Sequence, residues 1–206
     1  MLMSILAKWL LKTWGWGVEG TMPDLRNLKI VVISAPHTSM YDYVVGRLFY
    51  YANRVDAKVM IKKELFFFPL GWILKRIGAF PVDRGKSAGL VDQIVENFKS
   101  SSSLILTITP EGTRKKTKHW KRGFYQIAMQ AGVPILPSYF DFKRRVIGVG
   151  PQFYPTGNYE KDLFELQKFY VGVTARHPDQ FYLSQEVVNA VAGDDNKTVA
   201  GQPVKK

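Results

Sequence analysis

The residues of this chain best suited to chemistry stand just past two apolar runs. In Pro36-His37-Thr38-Ser39-Met40-Tyr41-Asp42 a histidine follows the end of a β-branched run, and an aspartate falls in the first turn of the helix expected next. At that spacing the carboxylate can accept a hydrogen bond from one imidazole nitrogen. The tautomer is then fixed and the other nitrogen is left to take a proton, which makes His37 a general base. Asp42 has a second reading, in which it only favours the helix N-terminus electrostatically. The chain contains no cysteine, so no thiol nucleophile accompanies the histidine. His37, His119 and His177 lack a zinc-ligand spacing such as H-E-x-x-H, and no metal is expected. A working His37 would deprotonate a substrate hydroxyl directly.

A second constellation, Thr109-Pro110-Glu111-Gly112-Thr113-Arg114, again stands at the end of an apolar run. It leads into Lys115, Lys116, Lys118, Lys121 and Arg122. Gly112 permits a tight turn, and Arg114 offers a planar fork suited to phosphate. A lysine-rich run is ordinarily a solvated loop. Here it starts at a strand end, as the first motif does, and in α/β proteins such ends share one ligand cleft. A third loop, Gly78 to Arg84, carries Arg84, which either binds phosphate or pairs with Asp83.

These loops need a scaffold. With 206 residues the chain is one domain, and 46% hydrophobic against 22% charged residues excludes a wholly disordered, collagen-like or coiled-coil protein. The lack of cysteine excludes disulfide scaffolds, Cys-type zinc sites and haem attachment. A net charge of +12 favours phosphate-bearing partners: nucleotides, nucleic acid or an anionic lipid surface. Strands are expected at 28–35, 57–61, 79–82, 104–109 and 133–140, with 143–149 an antiparallel neighbour of the last. Helices are expected at 41–51, 64–78, 87–98, 122–131 and 158–171. This alternation predicts an α/β fold, a mostly parallel central sheet flanked by helices. Beyond Val188 the periodicity fades, and residues 188–206 read as a disordered tail following a domain at 17–187.

The first sixteen residues, MLMSILAKWLLKTWGW, place Ser4, Lys8 and Lys12 on one narrow polar stripe of an otherwise apolar helix. The stretch is too short and too charged to span a bilayer, and it lacks the pattern of a secretory signal. It reads as an amphipathic membrane-interface helix, with Trp9, Trp14 and Trp16 at headgroup level, or as a helix packed on its own domain. Glu64 to Gly78, ELFFFPLGWILKRIG, is either a core helix kinked at Pro69 or the edge of an acyl-chain groove.

Taken in order, H-x4-D at His37 to Asp42, G-x-F-x-V-D-R at Gly78 to Arg84, P-E-G-T-R at Pro110 to Arg114 and V-P-I-L-P at Val133 to Pro137 resemble the four motif blocks of the glycerolipid acyltransferases. The resemblance covers about Gly17 to Phe140. Pro36 stands where that family usually has Asn, and Thr109 where it usually has Phe. The resemblance implies His37 as general base with Asp42 as its orienting partner. It implies Arg84, Glu111, Gly112, Thr113 and Arg114, with Lys121 beside them, as the binding site of the acceptor head group. The implied activity moves a fatty acyl group from acyl-CoA or acyl carrier protein to a hydroxyl of a lysophospholipid such as 1-acylglycerol 3-phosphate. No cofactor is needed beyond that cosubstrate. The amino-terminal helix adds the expectation of a peripheral location, at the cytoplasmic side of a membrane. A catalytically inactive lipid-binding module of the same fold is the alternative. A nucleic-acid partner is not expected, because no RNA- or DNA-binding signature accompanies the basic clusters.

Overall fold

The computed structural model describes residues 2–20, 23–25, 27–76, 78–82 and 89–193. The chain runs through α1 (Leu2–Thr13), β1 (Gly17–Glu19), β2 (Lys29–Ser34), α2 (Met40–Ala52), β3 (Ala57–Lys62), α3 (Leu70–Arg76) and β4 (Ala79–Val82). It continues through α4 (Leu90–Ser100), β5 (Leu104–Ile108), α5 (Gly123–Ala131), β6 (Ile135–Asp141), β7 (Val146–Val149), α6 (Tyr159–Lys168) and α7 (Gln185–Ala192). One seven-stranded sheet has the order β1-β7-β6-β2-β5-β3-β4. Every pairing is parallel except that of β6 with β7.

The β-branched run of β2 explains its central place. Ile30 and Val32 point into one core with Val45 and Phe49 of α2, while Val31 and Ile33 point into the other with Phe98 of α4 and Phe124 of α5. Period-two alternation thus feeds two apolar layers, one on each face of the sheet. Because β6, β2 and β5 are neighbours and mutually parallel, the segments leaving their carboxyl ends lie side by side. Those segments begin at Phe142, Ala35 and Thr109.

Three expectations are corrected. Residues 64–78 are not one kinked helix: a single turn over Lys63–Leu65 is followed by a break before α3 starts at Leu70. Proline disfavours helical backbone at the residue before it and lacks an N–H, so Pro69 sits directly before α3 and no helix runs through it. The expected tail is helical as far as Ala192, with Ser184 capping α7 and Val187 buried; residues 194–206 lie outside the described residues. The strand β1, three residues long, carries too few positions for a period-two pattern and was not expected. Tyr139 on β6 and Arg144 both bond Glu19 there, tying β1 to the sheet.

The N-terminal helix packs on α2. Ser4, Ala7 and Leu11 are buried, and the Ser4 hydroxyl donates to the Ala52 carbonyl at 2.9 Å. At the other end Trp16 meets Phe142 edge-on, with ring centroids 5.1 Å apart. The opposite face leaves Leu2 (80% exposed), Met3, Ile5, Leu6 and Trp9 in solvent. Around α3 a second exposed apolar group comprises Leu65, Phe67, Phe68 (90% exposed), Trp72 and Ile73. Among the described residues no helix is long and apolar enough to cross a membrane.

Candidate active site

The loop between β2 and α2 is built around one carboxylate. Ser39 is the N-cap of α2 and Asp42 its third residue, so a capping box turns the Asp42 side chain back over the loop that precedes it. Its Oδ2 accepts from the backbone N–H groups of Thr38 at 2.8 Å and Ser39 at 2.9 Å, and lies 3.1 Å from His37 Nδ1. Capping the helix and orienting the histidine are therefore one interaction. With Nδ1 donating to Asp42, Nε2 is left with its lone pair. The His37 ring is 20% exposed and Asp42 is 4% exposed. Solvent and substrate can reach the imidazole but not its partner.

The loop after β5 supports the same histidine from below. The His37 backbone N–H donates to Glu111 Oε2 at 2.8 Å, and Glu111 is only 5% exposed. Burial pushes the Glu111 carboxyl up to about 7; the His37 N–H pulls the other way, and the nearby Asp42 charge adds to the rise. Glu111 thus faces the His37 loop rather than open solvent. Gly112 takes the left-handed conformation at φ +65°, and Lys121 crosses directly over it. A Cβ at Gly112 would stand 2.6 Å from Lys121 Cε. The turn that Gly112 permits is what lets the lysine lie there, anchored by its own N–H to the Pro110 carbonyl at 2.8 Å. Thr113 accepts from the Lys115 N–H at 3.1 Å, and Arg114 is exposed.

The structure therefore brings His37, Asp42 and Glu111 together, and places Gly112, Thr113, Arg114 and Lys121 in the neighbouring loop. Arg84 lies outside the described residues. So does Ser87, which stands in a G-x-S-x-G pattern at Gly85 to Gly89. A contact with no sequence signal comes from the far end of the chain: the His177 N–H donates to Thr38 Oγ1 at 3.2 Å. Between α2 and the sheet, Val32, Gly46, Phe49, Leu136 and Phe140 line a cavity of about 20 Å³. That is room for one water and far too little for a fatty chain.

A family model described as acyltransferase matches residues 20–141, well over half of the chain. A 1-acyl-sn-glycerol-3-phosphate acyltransferase of Haemophilus influenzae is 27% identical over 145 residues, covering 65% of this chain and 59% of the relative. One from Cocos nucifera is 35% identical over 82 residues, covering 37% and 27%. The chain thus spans under two thirds of the length of either relative. The crystal structure of the 1-acyl-sn-glycerophosphate acyltransferase PlsC from Thermotoga maritima superimposes with a TM-score of 0.57 over 95% of this chain and 79% of that one. At 16% identity this likeness speaks to the fold. With the matched segment enclosing the His37 and Glu111 loops and the strands that carry them, the chain belongs to the acyltransferase family.

Proposed function

We propose that this chain transfers a fatty acyl group from an acyl thioester, acyl-CoA or acyl carrier protein, to the hydroxyl of a lysophospholipid such as 1-acylglycerol 3-phosphate. The observation that carries this reading is the His37–Asp42 pair, in which a buried carboxylate leaves an accessible imidazole nitrogen free to accept a proton. His37 takes the proton of the acceptor hydroxyl, and the oxygen attacks the thioester carbonyl. The tetrahedral intermediate then expels thiolate, which His37 protonates. Arg114 and Lys121, in the loop beside Glu111, hold the acceptor phosphate and set the hydroxyl towards His37. Glu111 holds the backbone of His37 and does not touch the acceptor. The names of the relatives support the choice of acceptor class.

The apolar faces of α1 and α3 suit a peripheral membrane protein at the cytoplasmic side, where acceptor lipid is reached without crossing the bilayer. The test is thiol release from a long-chain acyl-CoA in the presence of 1-acylglycerol 3-phosphate. General base catalysis contributes roughly 10²- to 10⁴-fold, so His37→Ala is expected to lower turnover by about that factor without unfolding the protein. Unchanged turnover in a folded His37→Ala protein removes His37 from the mechanism. Vesicle binding without any thiol release would leave only a lipid-binding module.

A further inference from the structure

An acyl thioester and a lysophosphatidate both carry phosphate, yet Arg114 and Lys121 lie on only one side of His37, that of β5. The other side, that of β6, is closed by the segment after α6, which lies beyond the part of the chain that the family model matches. This segment is pinned at two points. The Phe142 N–H, just past β6, donates to the Thr174 carbonyl at 2.9 Å, and the His177 N–H donates to Thr38 Oγ1 at 3.2 Å. Thr38 is the residue next to His37, so the pinned segment runs along the lip of the candidate site.

Between the two pins stands Arg176. Its guanidinium lies 5.4 Å from the ring centre of Tyr41, in the first turn of α2, and 5.8 Å from that of Phe142. Two aromatic rings thus favour this placement of the charge and leave the fork free of polar partners. That guanidinium makes no ion pair or hydrogen bond with another described residue, and the side chain is exposed. An arginine near the candidate site, flanked by two rings and without a carboxylate partner, is able to receive an anion.

We propose that Arg176 binds the phosphate of the acyl donor, across His37 from the acceptor loop; this rests on the thioester chemistry proposed above. The chemistry of the two substrates favours the donor. In a lysophosphatidate the phosphate is held close to the attacking hydroxyl and must sit near the imidazole. In acyl-CoA and acyl carrier protein it trails at the far end of a long pantetheine arm. Arg176 lies by the Tyr41 and Phe142 rings, on the β6 side of the site and not on the side of the acceptor loop, where such an arm would leave it. The sequence offered no sign of this role, because a lone arginine far along the chain acquires it only by folding back onto Thr38.

The test compares binding of octanoyl-CoA and of octanoyl-pantetheine, which keeps the thioester and lacks the phosphates, to the full chain and to Arg176→Ala and Arg176→Lys. A charge-assisted contact predicts roughly a tenfold or greater loss of octanoyl-CoA affinity in Arg176→Ala and a smaller loss in Arg176→Lys. Affinity for octanoyl-pantetheine should not change. In turnover, the donor KM rises and the acceptor KM does not. Equal losses for both thioesters, unchanged octanoyl-CoA affinity, or no octanoyl-CoA binding by the unsubstituted chain overturn the assignment. A rise confined to the acceptor KM gives the phosphate to the acceptor instead, and a loss confined to anionic-vesicle binding gives it to lipid headgroups; either result also overturns it. If Arg176-dependent octanoyl-CoA binding is found without thiol release, this site stands and the proposed transfer reaction fails.

Discussion

Glu111 holds the imidazole of His37 at one remove, through the main chain, and its protonation makes that hold dependent on pH. Its carboxyl is pushed up to about 7 chiefly by burial, so folding favours the neutral acid. For an acid raised in this way, the native state binds more protons than the unfolded chain between about pH 4.5 and 7, and the stability it contributes falls as pH rises through that window. Glu111→Gln keeps an oxygen to accept the His37 N–H and removes the titration. Relative to the wild type, that variant is expected to gain stability on going from pH 5 to pH 7.5, by an amount on the order of a few kcal/mol. Urea unfolding of both proteins at the two pH values measures it; a wild-type-minus-variant difference that does not move with pH contradicts the buried-acid assignment. At this scale the pairing of His37 with Asp42 was legible, because both lie within one short loop and the capping geometry is local. The role of Glu111 was not. Glu111 is buried within electrostatic reach of Tyr170, a residue far along the chain, which no local pattern encodes.

Among the elements, α1 shows what a helical period can and cannot say. The spacing of Ser4, Lys8 and Lys12 predicted a polar stripe, yet Ser4 turns inward while Lys8 and Lys12 stay exposed. The inward hydroxyl is satisfied by the carbonyl of Ala52, at the C-terminal end of α2, where a helix leaves carbonyls without intrahelical partners. Periodicity fixes which residues share a face; the neighbour decides which face is covered. The helix is accordingly both a piece of the core and an unpartnered apolar surface. Deleting it would expose the core around Leu11, so membrane attachment is better tested on the outer face alone. Leu6→Ser with Trp9→Ser alters two exposed side chains and should leave the thermal midpoint nearly unchanged. Burial of one such side chain is worth about 1.5–3 kcal/mol, so the double variant is expected to lose about two orders of magnitude in partitioning to lipid vesicles. Co-sedimentation equal to that of the wild type would show that α1 does not enter the interface. Trp16 is not part of this surface, since its ring is taken up by Phe142.

For the whole molecule, strand and helix alternation was enough to foresee a mostly parallel sheet, because each buried run carries its own signal. The order of the strands was not legible. That β6 and β5 flank β2, and so set the segments leaving them on either side of the His37 loop, follows from packing between segments far apart in sequence. The charge of +12 belongs to this scale too: under the proposed membrane attachment, a field summed over the surface would draw the protein to anionic lipid before any side chain inserts. The two contributions separate by their response to salt. Screening shortens from about 10 Å at 0.1 M to about 3 Å at 1 M, which removes attraction between exposed charges and leaves apolar insertion intact. Binding to vesicles containing phosphatidic acid is therefore expected to fall steeply over that range towards the level seen with phosphatidylcholine alone, which itself changes little. In the Leu6→Ser, Trp9→Ser protein the residual high-salt binding should be what disappears, with the salt-sensitive part retained. Binding equally strong to neutral and acidic vesicles at low salt would mean that the excess positive charge does not serve attachment. The lysines and arginines would then be reserved for the substrates' phosphates.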